Sequence, residues 1–478
     1  MTVVHLSLVS HTNIGKTTLA RTLLRRDIGE VRDAPHVTEA AEGHELVRSA
    51  EGDELRLWDT PGFGDSSRLL KRLHASGNPI GWLLTQVWDR FTDRPFFSSQ
   101  QAARNVHEKS DVVLYLVNAA EDPAVAGYVD AEMAILDWLG KPVVLLLNQV
   151  GPTGTDAADE AAWLRHLQSH PQVKAALSLD AFARCWVQED ELLRVLSSLD
   201  LPDKTDAVAR LRQAWRERNL SVFDQSMRAL ARQLAAAAAD RTQVPDPTWK
   251  ARVSGWLGSM VAGKERADPE VEHAMRALAQ RLDESVRATT AHLLELHGLS
   301  GRASAQVLAR ASGQFNVREA PDAAKAGALG GFLTGAFGGL AADLAAGGLT
   351  FGAGALIGGV LGALGGTGAA HAYRALRGAD EGSVGWSADF LTARVTAALM
   401  RYLTVAHFGR GRGEWVEEEA PRHWRPLVEE AVVRATPELQ RLWALNDAQA
   451  IEDPLRLTLA ELAREVLRKL YPRTTVFD

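Results

Sequence analysis

The stretch that most narrows the folding options is VVHLSLVSHTNIGKT, residues 3–17. Val3–Val9 is a short apolar, β-branched run that predicts a strand. Lys16–Arg26 places Leu19, Leu23 and Leu24 on one side of a helix. Between them, SHTNIGKT passes from strand to helix through a tight turn. Such a turn curls successive backbone N–H groups around phosphates and aims the positive helix end at them. Gly15 stands where the backbone must approach closely or take a positive φ. Lys16 would reach the β- and γ-phosphates, and the Thr17 hydroxyl would bind Mg²⁺. Ser10 occupies the slot where such loops usually open with glycine. The competing reading is an ordinary strand–turn–helix with an incidental GKT.

A second motif, LWDTPG at residues 57–62, favours the phosphate reading. It ends a predicted strand. Asp59 there can hold Mg²⁺ through water, and the Gly62 N–H can meet the γ-phosphate. Between the motifs, Thr38 in DAPHVTEA can complete the metal shell when the γ-phosphate is present. Asp33 and Thr12 read as solvated loop residues. His44–Ser49 and Glu54–Asp59 predict a hairpin turning at Glu51-Gly52-Asp53. DVVLYLVN (111–118) and PVVLLLN (142–148) are near-continuous apolar runs, the pattern of strands covered on both faces. Helical spacing fills Val129–Leu139 and Asp156–Ser169. Strands alternating with helices predict an open, mostly parallel α/β sheet. Ser66–Asn105, with Trp82, Trp88, Phe91, Phe96 and Phe97, reads as a helical insertion.

Together these residues resemble the P-loop GTPases of the translation-factor-related class, in particular the Era and TrmE-like branch. That branch carries an asparagine three residues before the lysine, then DTPG, then NKxD. The resemblance covers roughly residues 1–180. It implies GTP and GDP as ligands with Mg²⁺. Ser10, Asn13, Ile14, Gly15, Lys16, Thr17 and Thr18 would line the phosphates. Asp59 and Gly62 would sense the γ-phosphate, and Thr38 would be the switch residue. Thr17, Thr38 and Asp59 would surround the metal. Lys16, Thr38, Gly62 and Asn13 would carry hydrolysis, and Asn148 with Gln149 would face the base.

Two departures bear on that expectation. Asn148 is in place after the apolar strand, but Gln149 replaces the lysine whose stem packs on the base. Gly151 replaces the aspartate that reads guanine. Charge-assisted contacts of that kind contribute about 1.5–3 kcal/mol each. Asp156 and Asp180 are substitute carboxylates or plain surface and capping residues. Phe63 follows DTPG where many small GTPases place a water-orienting glutamine. In part of the resembling branch the loop asparagine helps bind K⁺. Asn13 then either supports K⁺-stimulated, slow hydrolysis or stabilises the loop through backbone hydrogen bonds.

Composition excludes more than it assigns. The net charge is −7 over 478 residues, with no basic run, so nucleic acid is not an expected partner. The single cysteine, Cys185, fits a reducing cytoplasm. The first ten residues read as a strand rather than a secretory signal. No HExxH, CxxC or GxSxG is present, so neither a protein-held metal site nor a serine nucleophile is expected. Acidic clusters such as VEEEA near residue 418 read as solvated helix faces.

From residue 201 the pattern is helical, with no convincing strand. Residues 326–370 differ again: 16 of 45 are glycine and Asp343 is the one charge. Ala326–Ala346 and Leu349–Tyr373 are each long enough to span a bilayer, turning at Gly347-Gly348. Sixteen helical glycines cost on the order of 16 kcal/mol in water. Such a hairpin must therefore be enclosed by lipid or by protein. Asp343 weighs against lipid, at about 2.5–3.5 kcal/mol in mid-bilayer. Bacterial GTPases with a C-terminal region of unknown function have a similar layout.

The expected organisation is a P-loop GTPase domain over 1–200, a helical domain over 201–320, the hairpin over 321–375 and a helical region over 376–478. The expected function is a slow GTPase switch. Its nucleotide state governs a helical effector region, held at the inner membrane or in the cytoplasm, and an unidentified protein partner. A ribosome-associated GTPase, a non-hydrolysing nucleotide-gated scaffold and a membrane protein with a vestigial loop are the alternatives.

Overall fold

The structure is a computed structural model that describes residues 1–25, 41–85, 93–148, 156–179, 185–243, 269–299, 376–377, 383–408 and 423–478. Thr38, Gln149, Asp180 and the glycine-rich stretch 326–370 lie outside them. The chain divides into two units. The first comprises Met1–Ser221, Ala406–Trp415 and Tyr471–Asp478, and the second Val222–Val405 and Val416–Leu470.

The first unit opens with β1 (Val3–Ser10), α1 (Lys16–Leu24) and the strands β2 (Glu42–Arg48) and β3 (Glu54–Asp59). Three helices follow: α2 (Ser66–Ala75), α3 (Pro79–Thr85) and α4 (Arg94–Lys109). Then come β4 (Val112–Asn118), α5 (Gly127–Leu139), β5 (Val143–Asn148), α6 (Asp156–His166), β6 (Val173–Ser178) and α7 (Trp186–Ser198). The first half of α8 (Thr205–Ala239) and the terminal residues Tyr471–Asp478 also belong to the unit. The six strands form one sheet in the order β2-β3-β1-β4-β5-β6. β2 is antiparallel to β3 and every other pair is parallel. The expected open, mostly parallel sheet is present. Strand β6 is an addition to the expected elements.

Parity explains why the apolar runs must be strands. Successive side chains point to opposite faces. Val112, Leu114, Leu116, Val144 and Leu146 therefore enter one core, with Leu19 and Leu23 of α1 and Leu211 and Trp215 of α8. Val113, Tyr115, Val117, Val143, Leu145 and Leu147 enter the other, with Leu69 of α2, Phe96 of α4 and Met133 of α5. Each fully buried leucine or valine contributes roughly 1.5–3 kcal/mol. The β2–β3 hairpin turns as expected, with Gly52 at φ 85° and the Ser49 N–H donating to the Asp53 carbonyl at 2.9 Å. The 66–105 insertion is helical where described. Phe96 is buried in its core and Trp82 is half-buried.

The second unit holds the rest of α8, β7 (Arg241–Gln243), α9 (Pro269–Leu296), β8 (Leu376–Arg377) and β9 (Ser383–Trp386). It continues with α10 (Ala388–Ala406), α11 (Trp424–Ala444) and α12 (Ala448–Leu470). It is mainly helical, as expected. The sheet β7-β9-β8 corrects the expectation of no strand beyond residue 201. Runs of two to four residues are too short to display a period of two. Arg401 of α10 is buried between helices and donates to the Gln233 side-chain oxygen at 2.6 Å. Among the described residues, no helix is long and apolar enough to cross a membrane.

Candidate nucleotide site

β1 delivers Ser10 to the carboxyl edge of the sheet, where open α/β folds bind ligands. The chain then turns through Asn13, at φ 66°, and Gly15, at φ 98°. Asparagine and glycine tolerate that left-handed region best. Gly15 is required a second time for space: a Cβ there would lie 2.9 Å from Asn148 Nδ2. Helix α1 starts immediately at Lys16, with no side chain capping it and no acidic residue in its first turn. Its N-terminal N–H groups are thereby suited to an anion.

The DTPG segment is stitched to this loop. Thr60 Oγ1 donates to the Leu8 carbonyl at 2.6 Å. The Phe63 N–H donates to the Ser10 carbonyl at 2.9 Å, and the Thr12 N–H to the Phe63 carbonyl at 3.2 Å. Gly62 is wedged so closely that a Cβ would meet Lys16 Nζ and Thr12 Cα, each at 3.0 Å. Phe63 itself is 0 % exposed and packs in the core of the α2–α5 face. It presents no group to a water molecule.

Lys16 is buried, and its Nζ donates to Ser10 Oγ at 2.9 Å. Burial lowers its pKa to about 8, against the opposing pull of Asp59 and Glu132. Thr17 Oγ1 donates to Asp59 Oδ2 at 2.7 Å. The other Asp59 oxygen, Oδ1, is buried with no hydrogen-bond partner among the described residues. Burial raises the pKa of Asp59, while the Thr17 hydrogen bond and Lys16 hold it down. An orphaned carboxylate oxygen beside a threonine hydroxyl is a hard oxygen pair that suits Mg²⁺. Thr17 and Asp59 would hold the ion, which would supply positive charge against the phosphates.

Ser10, Ile14, Gly15, Lys16, Thr17, Thr18, Asp59 and Gly62 are thus brought together or pack immediately behind the loop. Thr18 and Ile14 are buried. Asn13 is exposed, and its side chain has no hydrogen bond to another described residue. Its contribution to loop shape is its backbone angle. Asn148, expected beside the base, is buried and donates from Nδ2 to the Ile14 carbonyl at 2.8 Å, bracing the phosphate loop from β5.

A set of residues that motif reading misses lies behind the loop. His11 Nδ1 is 2.8 Å from Glu132 Oε1, and the Tyr115 hydroxyl donates to Glu132 Oε2 at 2.6 Å. Glu132 is 0 % exposed, and burial raises its pKa against both partners. The available signal was a carboxylate on the apolar face of α5, three residues from Val129 and four from Leu136. Glu132→Leu removes the acceptor from the buried Tyr115 hydroxyl and from the partly exposed His11 ring. It is expected to destabilise the first unit by roughly 1–3 kcal/mol, chiefly through the orphaned Tyr115 hydroxyl. Glu132→Gln, which keeps an acceptor, should cost clearly less. Urea denaturation midpoints of the two variants decide this.

Parts of the chain are similar to known proteins. Residues 5–149 match the family model described as 50S ribosome-binding GTPase. GTPase Der of Myxococcus xanthus (strain DK1622) is 28% identical over 152 residues, which are 31% of this chain and 26% of Der. Among solved structures, an Aquifex aeolicus Era variant bound to GDP and AlF4⁻ has a TM-score of 0.31 at 18% identity. Era in complex with MgGDPNP and a segment of 16S ribosomal RNA has a TM-score of 0.31 at 17% identity. Each Era match covers 41% of this chain and 56% of the Era chain. The chain therefore spans about a quarter of Der and just over half of Era.

Fold, motifs and family model define residues 5–149 as a P-loop GTPase domain. The remainder carries the second match, to the domain of unknown function DUF3482, over residues 168–463. That match takes in more than half of the chain, which belongs to the DUF3482 family.

Proposed function

We propose that the protein is a guanine-nucleotide switch that binds GTP and GDP with Mg²⁺ and hydrolyses GTP slowly. The single observation that carries this reading is the contact between the two motifs. Lys16 abuts Gly62, Thr17 is bonded to Asp59, and one Asp59 oxygen has no partner among the described residues. A γ-phosphate and its ion would be read at the same point by the loop that binds nucleotide and the loop that follows β3. Slow turnover follows from Phe63, whose ring is in the core, so no side chain at that position orients the attacking water. The Asn13 side chain, exposed and without a partner among the described residues, supports stimulation by K⁺. Thr38 and Gln149 belong to the same reading, as switch residue and base neighbour. The helical region would respond to nucleotide state, and the composition of residues 326–370 supports a hairpin that meets membrane or an unidentified protein.

The test is titration with fluorescent GTP, GDP and ATP analogues in Mg²⁺, with K⁺ or Na⁺, using Lys16→Ala as control. Guanine binding lost in the variant, with faster turnover in K⁺, is the expected result. Equal GTP and ATP binding would replace the guanine switch by a phosphate-reading one. No binding at all would sink it. A ribosome-associated role is a second reading, favoured by the family model's description. The net charge of −7 weighs against a broad RNA surface. Co-sedimentation with ribosomal subunits in each nucleotide state decides it.

A further inference from the structure

Residues Tyr471–Asp478 follow α12 directly and belong to the first unit. They are strapped down by contacts to three of its helices. Arg473 donates from Nη1 and Nη2 to the two oxygens of Glu160 on α6, at 2.7 and 3.0 Å. Arg216 of α8 donates to the Thr475 and Val476 carbonyls at 3.0 and 3.1 Å. Val476 is buried, and the Phe477 ring meets the edge of Trp186, the first residue of α7, at 5.5 Å.

Glu160 is the pivot. It is 4 % exposed, and besides Arg473 it accepts the Ser178 N–H at 2.7 Å. Ser178 is the last residue of β6 and pairs in register with Leu147 of β5. The next residue, Leu179, donates its N–H to the Leu147 carbonyl at 3.0 Å. Leu147 precedes Asn148, whose side chain holds the Ile14 carbonyl of the phosphate loop. Arg473 is thus linked through Glu160 to the carboxyl ends of β5 and β6, the edge at which such a sheet receives its ligand.

We propose that residues 471–478 are a strap that sets nucleotide affinity through the carboxyl ends of β5 and β6, with Arg473 a positioning residue acting through Glu160. The proposal rests on the guanine-nucleotide reading above. Its physical reason is preorganisation. With Gln149 and Gly151 in place of the usual lysine and aspartate, charged base contacts from those positions are missing. Affinity then depends more on how firmly the strand ends are held before the ligand arrives. Removing the guanidinium leaves a buried carboxylate without its cation. Glu160 would turn to solvent and release Ser178. Because the strap continues α12, the DUF3482 region has a covalent handle on nucleotide release.

The experiment compares full-length wild type, Arg473→Gln and Arg473→Lys. It measures dissociation of fluorescent GDP and of an ATP analogue after chase with excess unlabelled nucleotide, with thermal melting alongside. Arg473→Gln is expected to speed GDP dissociation about tenfold and to narrow the GDP-to-ATP difference, with little change in association rate. Arg473→Lys keeps the charge without the fork and should recover part of the loss. A purely structural role would lower the melting temperature without changing discrimination between bases. Unchanged dissociation and discrimination in Arg473→Gln, or in Arg473→Lys should the first variant not fold, overturn the strap while leaving the nucleotide reading intact. A wild type that binds no nucleotide overturns both.

Discussion

GTP affinity is expected to fall as pH rises above about 8, and to lose this dependence when Lys16 is replaced. Lys16 is buried behind the phosphate loop, and burial brings its pKa from an ordinary 10.5 to about 8. The phosphates need the ammonium form. Above pH 8 the ligand-free protein must take up a proton for each triphosphate it binds, so affinity drops by up to about tenfold per pH unit. Isothermal titration at pH 8.5 in buffers of different ionisation enthalpy should report that uptake. Lys16→Ala should show none, and at pH 7 should bind roughly 100-fold or more weakly, since it loses charge-assisted contacts to phosphate.

The same shift has a stability consequence of opposite sign. Between pH 8 and 10.5 the unfolded chain holds more protons at Lys16 than the native chain does. Ligand-free stability contributed by this group therefore rises with pH through that window. Below about 8 both states are protonated and the cost of burying the charge is fully present. Lys16→Met should flatten the rise, which urea midpoints at pH 7.5 and 9.5 would show. A wild type whose stability and affinity are both flat across the window would remove Lys16 from its assigned place.

Gly62→Ala carries the second large effect. The added methyl group would sit 3.0 Å from both Lys16 Nζ and Thr12 Cα. The lysine end can move, but only away from the phosphates. Thr12 is main chain, pinned through its N–H to the Phe63 carbonyl at 3.2 Å, while the Phe63 N–H is pinned to the Ser10 carbonyl at 2.9 Å. The DTPG segment must retreat from the γ-phosphate position instead. GDP affinity should change little, GTP-analogue affinity should fall, and turnover should drop about 100-fold, as displaced catalytic groups commonly cause. Retained turnover in Gly62→Ala would show that Gly62 does not read the γ-phosphate.

Much of the first unit was legible because its signals are local. The strand–loop–helix around SHTNIGKT, the DTPG turn and the alternate burial of DVVLYLVN and PVVLLLN each depend on neighbours within a few residues. The helical character of the second unit was legible in the same way. The β7-β9-β8 sheet was not, because two of its strands are shorter than four residues and all three take their identity from partners far along the chain.

The sequence by itself determined the chemistry available at the loop: one lysine, one threonine, one aspartate and two glycines at the spacings of a phosphate-binding turn. It also determined the absence of the usual base-reading aspartate and water-orienting glutamine. Tertiary structure alone decided what those residues are held by. Asn148 braces Ile14 across 134 positions, Glu132 meets His11 across 121, and Arg473 reaches Glu160 across 313. The reason is geometric. Covalent spacing limits which groups can be neighbours along one strand or helix, whereas strand order in the sheet sets which ends of distant segments arrive at the same edge.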